Sequence, residues 1–266
     1  MRINRPLGRV SQNLQHISWD EAYRAIAERI SEMEPTENEV IALTDTHASN
    51  EELFLLKKLF KDGFFSDNVF CPLPNWEQIE SEFFINTLIT TDKSPNRAGA
   101  LALQIKGDHE NKEVKNSIDG ELKLAIILGN PFETEHEIQQ KIKPAQLVVH
   151  IGAYHNCWSE IADVVLPGQY YSEKKVTFTN KLQQVQATEI SVQALRRSRP
   201  EWQIIVELAH ELGHKYSFSN INQVFAAMAE ETKAFSGLSF DQIRDQEIKL
   251  KKTFKDNGMK LVQAPA

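Results

Sequence analysis

Three short and almost uninterrupted apolar runs constrain the fold of this chain more than any other feature. They cover residues 122–128, 147–151 and 163–166. Strands that are buried on both faces of a parallel sheet have such sequences, whereas half-exposed strands alternate apolar and polar residues. Between the first two runs, a short helical pattern starts at Thr134 and directs Ile138 and Ile142 inward. The sequence therefore predicts an α/β fold with a right-handed, Rossmann-like βαβ unit in a parallel sheet flanked by helices.

The carboxyl ends of these strands are the expected place for a ligand, because open parallel sheets bind ligands along that edge. Turns begin there at Gly129 and Gly152. After the third run, Pro167 and Gly168 end the strand, and a loop with hydroxyl and amide side chains follows. The candidate ligand-binding residues are Gly129, Asn130, Pro131, Asp163, Thr177, Thr179 and Asn180.

Two capping boxes predict where helices begin in the first part of the chain. Ser18 is followed three residues later by Glu21, and Ser49 is followed in the same way by Glu52. In a capping box the two side chains bind each other's backbone amides in the first turn. We expect a helix after each serine, and we expect the second helix to stop at Gly63, because glycine commonly ends helices.

The distribution of polar residues predicts the domain organisation. Residues 104–119 are polar, charged and without periodicity, which indicates a linker or surface loop. This segment separates an α/β lobe at 1–103 from a second, dinucleotide-binding-like α/β lobe at 120–214. Apolar stripes at helical spacing continue beyond it, so residues 215–266 are predicted to form a helical C-terminal extension.

Charge and cysteine content exclude several classes of function. The 30 basic and 37 acidic residues give a net charge of −7 without a basic stripe, so nucleic acid is not an expected partner. Cys71 and Cys157 lie far apart and cannot build an iron–sulfur cluster or a structural zinc site by themselves. No stretch has the length of a membrane span or of a signal-peptide core. We expect a cytoplasmic protein that reaches a membrane only through partners.

Several segments carry a family resemblance. They read RPLGRV at 5–10, SWDEA at 18–22, GNP at 129–131, ADVVLP at 162–167, EKKVTFTNKLQQVQ at 173–186 and RPEW at 199–202. Together they resemble the molybdopterin oxidoreductases, which include formate dehydrogenases, nitrate reductases and the large iron–sulfur subunit of complex I. The resemblance implies that the 173–186 loop lies against the pterin of a molybdopterin guanine dinucleotide.

The same segments depart from the family at positions that shape the cofactor site. Val176 stands where the family has glycine, and Gln184 stands where it has arginine. Valine does not adopt positive φ easily, and a neutral amide cannot replace the bidentate fork of arginine. Residues 46–49 offer no cysteine as a molybdenum ligand. The resemblance therefore implies a retained scaffold with weakened cofactor contacts, and no bound cofactor is expected.

The turn at 94–100, SPNRAGA, resembles the large subunit of complex I, and no C-terminal β-barrel of the formate dehydrogenase type is expected. The sequence therefore predicts a non-catalytic or degenerate subunit of an NADH:quinone oxidoreductase, with a structural or assembly role. Its partners would be the NADH dehydrogenase subunits that carry iron–sulfur clusters. The alternative is an oxidoreductase subunit that binds molybdopterin guanine dinucleotide through the candidate residues given above.

A second alternative comes from residues 210–214, which read HELGH and match the zinc-peptidase motif H-E-x-x-H. In such a site His210 and His214 bind zinc and Glu211 acts as the base, with Glu230 or Glu231 as the third ligand. Gly213 indicates, however, that the helix ends between the two histidines. His214 would then leave the face of the helix that carries His210, so the motif is not expected to bind metal.

Overall fold

The computed structural model describes residues 1–71, 94–107, 111–132, 135–245 and 248–250. Two sheets occur in these ranges. The first contains β1 (Leu7–Val10), β2 (Asn13–His16), β3 (Val40–Thr44), β4 (Val69–Phe70), β5 (Leu124–Leu128), β6 (Leu147–Gly152) and β7 (Val164–Pro167). The second contains β8 (Thr177–Thr179), β9 (Gln184–Ala187) and β10 (Ile248–Lys249). The first sheet has the order β2-β1-β7-β6-β5-β3-β4 and forms the centre of the molecule.

The helices lie on both faces of the first sheet. They are α1 (Trp19–Met33), α2 (Asn50–Phe64), α3 (Arg97–Ala102), α4 (Lys112–Ser117), α5 (His136–Ile142), α6 (Cys157–Ile161), α7 (Glu201–Glu211), α8 (Ile221–Glu231) and α9 (Phe240–Asp245). One core cluster joins the sheet to α1, α2, α7 and α8. A second cluster joins the opposite face to α4, α5 and α6.

The predicted α/β fold is confirmed. Strands β4, β3, β5, β6 and β7 run parallel, and only the β1–β2 hairpin joins the sheet in the antiparallel direction. Every residue of β3, β5 and β6 is buried, which explains their continuous apolar sequences. The connection between β5 and β6 is α5, and its Ile138 and Ile142 are fully buried, as expected.

Both predicted capping boxes are present. The Ser18 and Ser49 hydroxyls accept hydrogen bonds from the backbone amides of Glu21 and Glu52. The carboxylate of each glutamate in turn accepts the backbone amide of the serine. The expected stop at Gly63 is wrong, because α2 continues to Phe64 and is capped by a residue with a φ of 53° at Phe65. Glycine is used at position 63 for close packing, since a Cβ atom there would lie 3.2 Å from the His214 ring.

The strands on either side of the predicted linker belong to one sheet. β3 pairs with β5 in parallel along its whole length, from Val40 opposite Leu124 to Thr44 opposite Leu128. Within residues 104–119 lies α4, whose Val114 is buried against the second core cluster. The two predicted lobes therefore contribute to a common core, and their boundaries stay a prediction.

The C-terminal extension is only partly helical. Helices α8 and α9 follow the predicted stripes, but Ile248 pairs with Val185 and extends the second sheet as β10. The helical prediction is wrong there, because the open edge of β9 offers backbone partners that a local pattern cannot show. Residues 251–266 lie outside the described part of the chain. No helix among the described residues is long and apolar enough to cross a membrane.

Candidate functional site

A buried hydrogen-bonded seam fixes the predicted ligand loop to the first turn of α2. We call it the β8 seam, and it consists of Asn50, Glu51, Asn96, Thr177 and Thr179. Asn50 donates from Nδ2 to the hydroxyls of both threonines at 3.0 and 3.1 Å. Glu51 accepts the Thr177 amide and hydroxyl, both at 2.9 Å. Asn96 accepts the Thr179 amide at 2.7 Å.

The β8 seam decides what the loop can bind. Thr177 and Thr179 are fully buried, and their hydroxyls are engaged within the chain. Asn180 donates to the side chains of Gln184 and Gln186 and shapes the turn between β8 and β9. These three candidate residues therefore serve internal contacts and do not present their polar groups to a ligand at the sheet edge.

Asp163 lies at the opposite end of the sheet from the other candidates. Its carboxylate accepts the Val148 amide at 2.8 Å and forms an ion pair with Arg29 at 3.6 Å. Both contacts lie where β6 and β7 begin, whereas the predicted ligand edge lies where they end. Its interpretation as a residue of the carboxyl edge is wrong, because it precedes its strand and does not follow it.

The Gly129 turn does lie at the carboxyl edge. Gly129 has a φ of +81°, and a Cβ atom there would collide with the Asp45 carboxylate. Asp45 accepts the Asn130 amide at 2.7 Å, while His150 Nε2 donates to the Gly129 carbonyl at 2.9 Å. Burial lowers the pKa of His150 to about 4, so this ring is neutral. Asp45 and His150 therefore fix the backbone of this turn, one at an amide and the other at a carbonyl.

Pro131 belongs to the turn but not to the ligand edge. It is buried, and its carbonyl accepts the indole N–H of Trp158 at 2.6 Å. Of the seven predicted site residues, Gly129 and Asn130 are the two that line the cavity at the carboxyl edge.

This carboxyl-edge cavity has a volume of about 230 Å³. Asp45, Glu52, Lys174 and Glu201 contribute its charged side chains, together with His47. Three exposed tyrosines form its rim, and they are Tyr154, Tyr170 and Tyr171. The ring centroids of Tyr154 and Tyr170 lie 5.8 Å apart, and those of Tyr170 and Tyr171 lie 4.4 Å apart.

A buried ion triad forms one wall of the cavity. Lys174 Nζ lies 2.5 Å from Glu52 Oε1 and 2.6 Å from Glu201 Oε2, and all three residues are at least nine-tenths buried. Burial would lower the pKa of Lys174, but the charges of Glu201 and Glu52 outweigh it and raise the pKa. Burial raises the pKa of Glu201 to about 7, against the opposing charge of Lys174. The triad ties α2, the loop before β8 and α7 together.

The two altered family positions have structural roles. Val176 is fully buried in the first core cluster, and it does not have a positive φ. Gln184 starts β9 and accepts the Asn180 amide group through Oε1 at 3.0 Å. Both side chains stabilise the small sheet, in place of the close backbone approach and the guanidinium that the family pattern implies.

The HELGH segment is split by the end of a helix, as predicted. Helix α7 ends at Glu211, and Gly213 has a φ of +88°. His210 Nε2 lies 2.6 Å from the Tyr216 carbonyl, and Glu231 pairs with Lys58. Within the ranges that the structure describes, no group of three or more His, Cys, Asp or Glu side chains is placed to hold a metal ion.

Comparison with known proteins identifies the family of this fold. A model described as molybdopterin oxidoreductase matches residues 2–78 and 67–211, well over half of the chain. The chain belongs to the molybdopterin oxidoreductase family. The family resemblance predicted from the sequence segments is thereby confirmed.

Relatives of this molybdopterin oxidoreductase chain include formate dehydrogenase subunits. The F420-dependent formate dehydrogenase subunit alpha of Methanocaldococcus jannaschii is 25% identical over 183 residues, covering 66% of this chain and 25% of the relative. F420-dependent formate dehydrogenase 2 subunit alpha of Methanococcus maripaludis is 28% identical over 137 residues, covering 49% and 20%. The chain thus spans a quarter or less of these relatives. Because these relatives are formate dehydrogenase subunits, they agree better with the molybdopterin-binding alternative than with the complex I type, which stays a prediction.

A solved structure has the same fold. Acetylene hydratase from Pelobacter acetylenicus matches with a TM-score of 0.65 at 10% identity, over 94% of this chain and 66% of that chain. At this identity the likeness concerns the fold alone. It agrees with a mostly parallel sheet between two layers of helices.

The family implies a molybdopterin cofactor, and the described residues at the carboxyl edge do not fit a guanine dinucleotide form. Its pyrophosphate needs cationic side chains or open backbone amides. The cavity offers three carboxylates against one lysine, which both Glu52 and Glu201 already bind. The Asn130 amide is taken by Asp45. The cavity volume is also below the range of about 300–1,000 Å³ that is common for drug-sized ligands.

Sequence reasoning missed most residues that line this cavity. Asp45 directly follows β3, so its position at a strand end was a usable signal. Lys174 and Glu201 carried no such signal in the sequence. Each lies in a charged segment, and its role depends on ion-pair partners that are distant along the chain. The nearest of these partners to Lys174 is 27 residues away.

Replacing Glu51 with glutamine should stabilise the protein above neutral pH. Burial raises the pKa of Glu51 to about 7, above the ordinary 4.5, despite hydrogen bonds from Thr177. The unfolded chain therefore loses this proton first, and stability falls as pH rises from about 4.5 to 7. Glutamine removes the charge and keeps one of the two oxygens that accept from Thr177, and we expect a net gain of about 2 kcal/mol above pH 7.

The measurement is urea unfolding across this pH range. The gain of Glu51→Gln should vanish in acid, where glutamate is neutral in both states. Glu28→Gln, an exposed substitution on α1, is the control and should show no comparable change with pH. A loss of stability at every pH would contradict the assigned cost of ionising Glu51.

Proposed function

We propose that this chain is a non-catalytic subunit of a multi-subunit oxidoreductase of the complex I type, with a structural or assembly role. The β8 seam is the observation that carries the proposal. The loop that lies against the pterin in the family pattern is here joined to the first turn of α2 by buried hydrogen bonds with Asn50 and Glu51. Asn96, the residue before α3, accepts the Thr179 amide of the same loop. A loop held in this way stabilises a scaffold without needing a cofactor to order it.

The ion triad supports the same proposal. Lys174 draws the segment before β8 onto α2 and α7, at the edge where family members hold their cofactor. Removing one member of such a triad leaves buried charge, so the three residues make this edge a rigid part of the fold. The charge of the remaining lining disfavours an anionic dinucleotide.

The turn at 94–100 supports the complex I type in particular. Asn96, the asparagine of this turn, is fully buried and donates to the Ala48 carbonyl at 2.8 Å while accepting the Thr179 amide. The asparagine that this turn shares with the complex I subunits is thus a buried residue with a structural role. The relatives' names describe alpha subunits of formate dehydrogenases, which is consistent with a subunit of a larger assembly but does not favour the complex I type in particular. The partners would carry the iron–sulfur clusters and place the chain in the cytoplasm or at the cytoplasmic face of a membrane.

The proposal is tested by isolating the tagged native protein from its source cells. We expect it to elute in a complex with iron–sulfur subunits, with less than a tenth of an equivalent of molybdenum or pterin per chain. Elemental analysis and mass spectrometry of released pterin measure this. Stoichiometric molybdenum, pterin and turnover of a small substrate by the isolated chain would refute the non-catalytic role.

An oxidoreductase subunit that binds molybdopterin guanine dinucleotide is the second candidate. It is favoured by the family membership and by the relatives, which are formate dehydrogenase subunits. For this candidate, released pterin should be stoichiometric and should be lost when the partner subunits are removed. The zinc alternative is tested on the same samples by measuring their zinc content. His210→Ala should leave this metal content unchanged, because the HELGH segment is not expected to bind zinc.

A further inference from the structure

The electrostatics of the carboxyl-edge cavity are those of a site for a cation. Asp45, Glu52 and Glu201 line it together with a single lysine, Lys174. Although burial acts to raise the pKa of Asp45, hydrogen bonds from His47 and from the Asn130 amide hold it below its usual value. Burial raises the pKa of Glu201, and even with a proton on Glu201 the Asp45 and Glu52 carboxylates outnumber Lys174. Protonation of His47 at the exposed rim offsets part of this charge.

Glu201 has acceptor capacity that the triad does not use. Its Oε2 accepts from Lys174, and the Glu201 backbone N–H donates to the same carboxylate. A carboxylate has about four lone-pair sites, so a further donor can bind. This side chain is 9% exposed and lines the cavity. A buried carboxylate oxygen is stabilised by a donor, and a cationic donor forms the stronger bond.

The tyrosine rim suits the same chemistry. Cations are attracted to the faces of aromatic rings at centroid distances up to about 6 Å. Tyr170 and Tyr171 are about half exposed, and the rim already shows one example of such binding. The guanidinium of Arg2 lies 5.1 Å from the Tyr154 centroid and pairs with Glu173 at 2.6 Å. An aromatic face together with a carboxylate thus holds a guanidinium immediately beside the cavity.

We propose that the carboxyl-edge cavity binds a small organic cation, a guanidinium or alkylammonium group, between the Asp45 and Glu201 carboxylates and the tyrosine rim. Its volume of about 230 Å³ suits one such group and not a dinucleotide. The cation is either a free amine or guanidine compound or an arginine or lysine side chain of a docking protein. The cavity has this charge whether or not the chain assembles with partners, so the test is independent of the proposed function.

The test compares matched probes on the purified full chain by isothermal titration calorimetry. Ethylguanidinium is compared with ethylurea, its neutral counterpart, and with inorganic pyrophosphate and GDP. We expect ethylguanidinium to bind at least about tenfold more tightly than ethylurea, because a charged donor strengthens both the carboxylate and the ring contacts. Pyrophosphate and GDP should not bind. Absence of ethylguanidinium binding, equal binding of ethylurea, or tighter binding of either anion would overturn the proposal.

Rim variants separate this site from adventitious binding. Tyr171→Ala should weaken ethylguanidinium binding about fivefold, since a cation–π contact at an exposed site is lost. Phe65→Ala removes an exposed aromatic side chain outside the cavity and should have no effect. Equal effects of the two variants would refute the assigned place. A capped Gly-Arg-Gly peptide distinguishes the sources, since tighter binding than ethylguanidinium indicates a protein side chain and equal or weaker binding indicates a free compound.

Discussion

Replacing Gly99 with alanine should destabilise the protein by about 3–5 kcal/mol, through overpacking and lost buried hydrogen bonds. Gly99 lies in α3 and faces the β8 seam. A Cβ atom there would stand closer than 3.0 Å to Oδ1 of both Asn50 and Asn96, and neither amide can withdraw without a cost. The two oxygens accept the Thr179 hydroxyl and amide, so moving them leaves buried donors without acceptors.

The matched control for this substitution is Gly120→Ala. Gly120 is exposed, has no positive φ, and its Cβ atom would meet nothing within 4 Å. Urea unfolding with a common slope should show a large loss for Gly99→Ala and a change within about 0.5 kcal/mol for the control. A small loss at Gly99 would mean that the β8 seam is loosely packed, and the main support for the proposed function would fall with it.

The parts of the fold that were predictable are those encoded by local sequence. The capping boxes at Ser18 and Ser49 involve residues three positions apart, so the pattern and the contact coincide. The central strands were predictable because burial on both faces forces an unbroken apolar run. The predicted helix stop at Gly63 and the predicted helix at the position of β10 were wrong for the opposite reason. The role of each depends on a partner that is distant in sequence, the His214 ring and the edge of β9.

The candidate site was harder to predict than the fold. Thr177 and Thr179 have the hydroxyls that a ligand loop needs. Both hydroxyls, however, accept hydrogen bonds from Asn50 of α2, which lies more than 120 residues earlier in the chain. Asp163 has a carboxylate beside a strand, yet which end of the strand it occupies decides its role. Gly129 and Asn130 were found because a strand end followed by a turn locates the carboxyl edge directly. The family resemblance identified the scaffold, while the charge of the cavity became visible only in three dimensions.

Replacing Lys174 with methionine should cost about 3–5 kcal/mol at neutral pH, since it leaves Glu52 and Glu201 buried without a compensating charge. Methionine is similar in length, so the lost interaction is electrostatic. The neighbouring Lys175→Met is the matched control. Lys175 is one-third exposed and pairs with the exposed Glu189, and loss of such a pair costs at most about 1 kcal/mol.

The dependence of this loss on pH tests its cause. Without Lys174, the pKa of Glu201 should rise further above the ordinary 4.5, because burial is its largest influence and acts unopposed. A carboxyl group with a raised pKa lowers stability as pH rises through that range and has no such effect where both states are protonated. The deficit of Lys174→Met in urea unfolding should therefore grow with pH and shrink in acid. Adding Glu201→Gln should recover part of it, because one buried negative charge is removed. A deficit that is constant with pH, or no recovery in the double variant, would show that packing and not charge holds α2, α7 and the loop before β8 together.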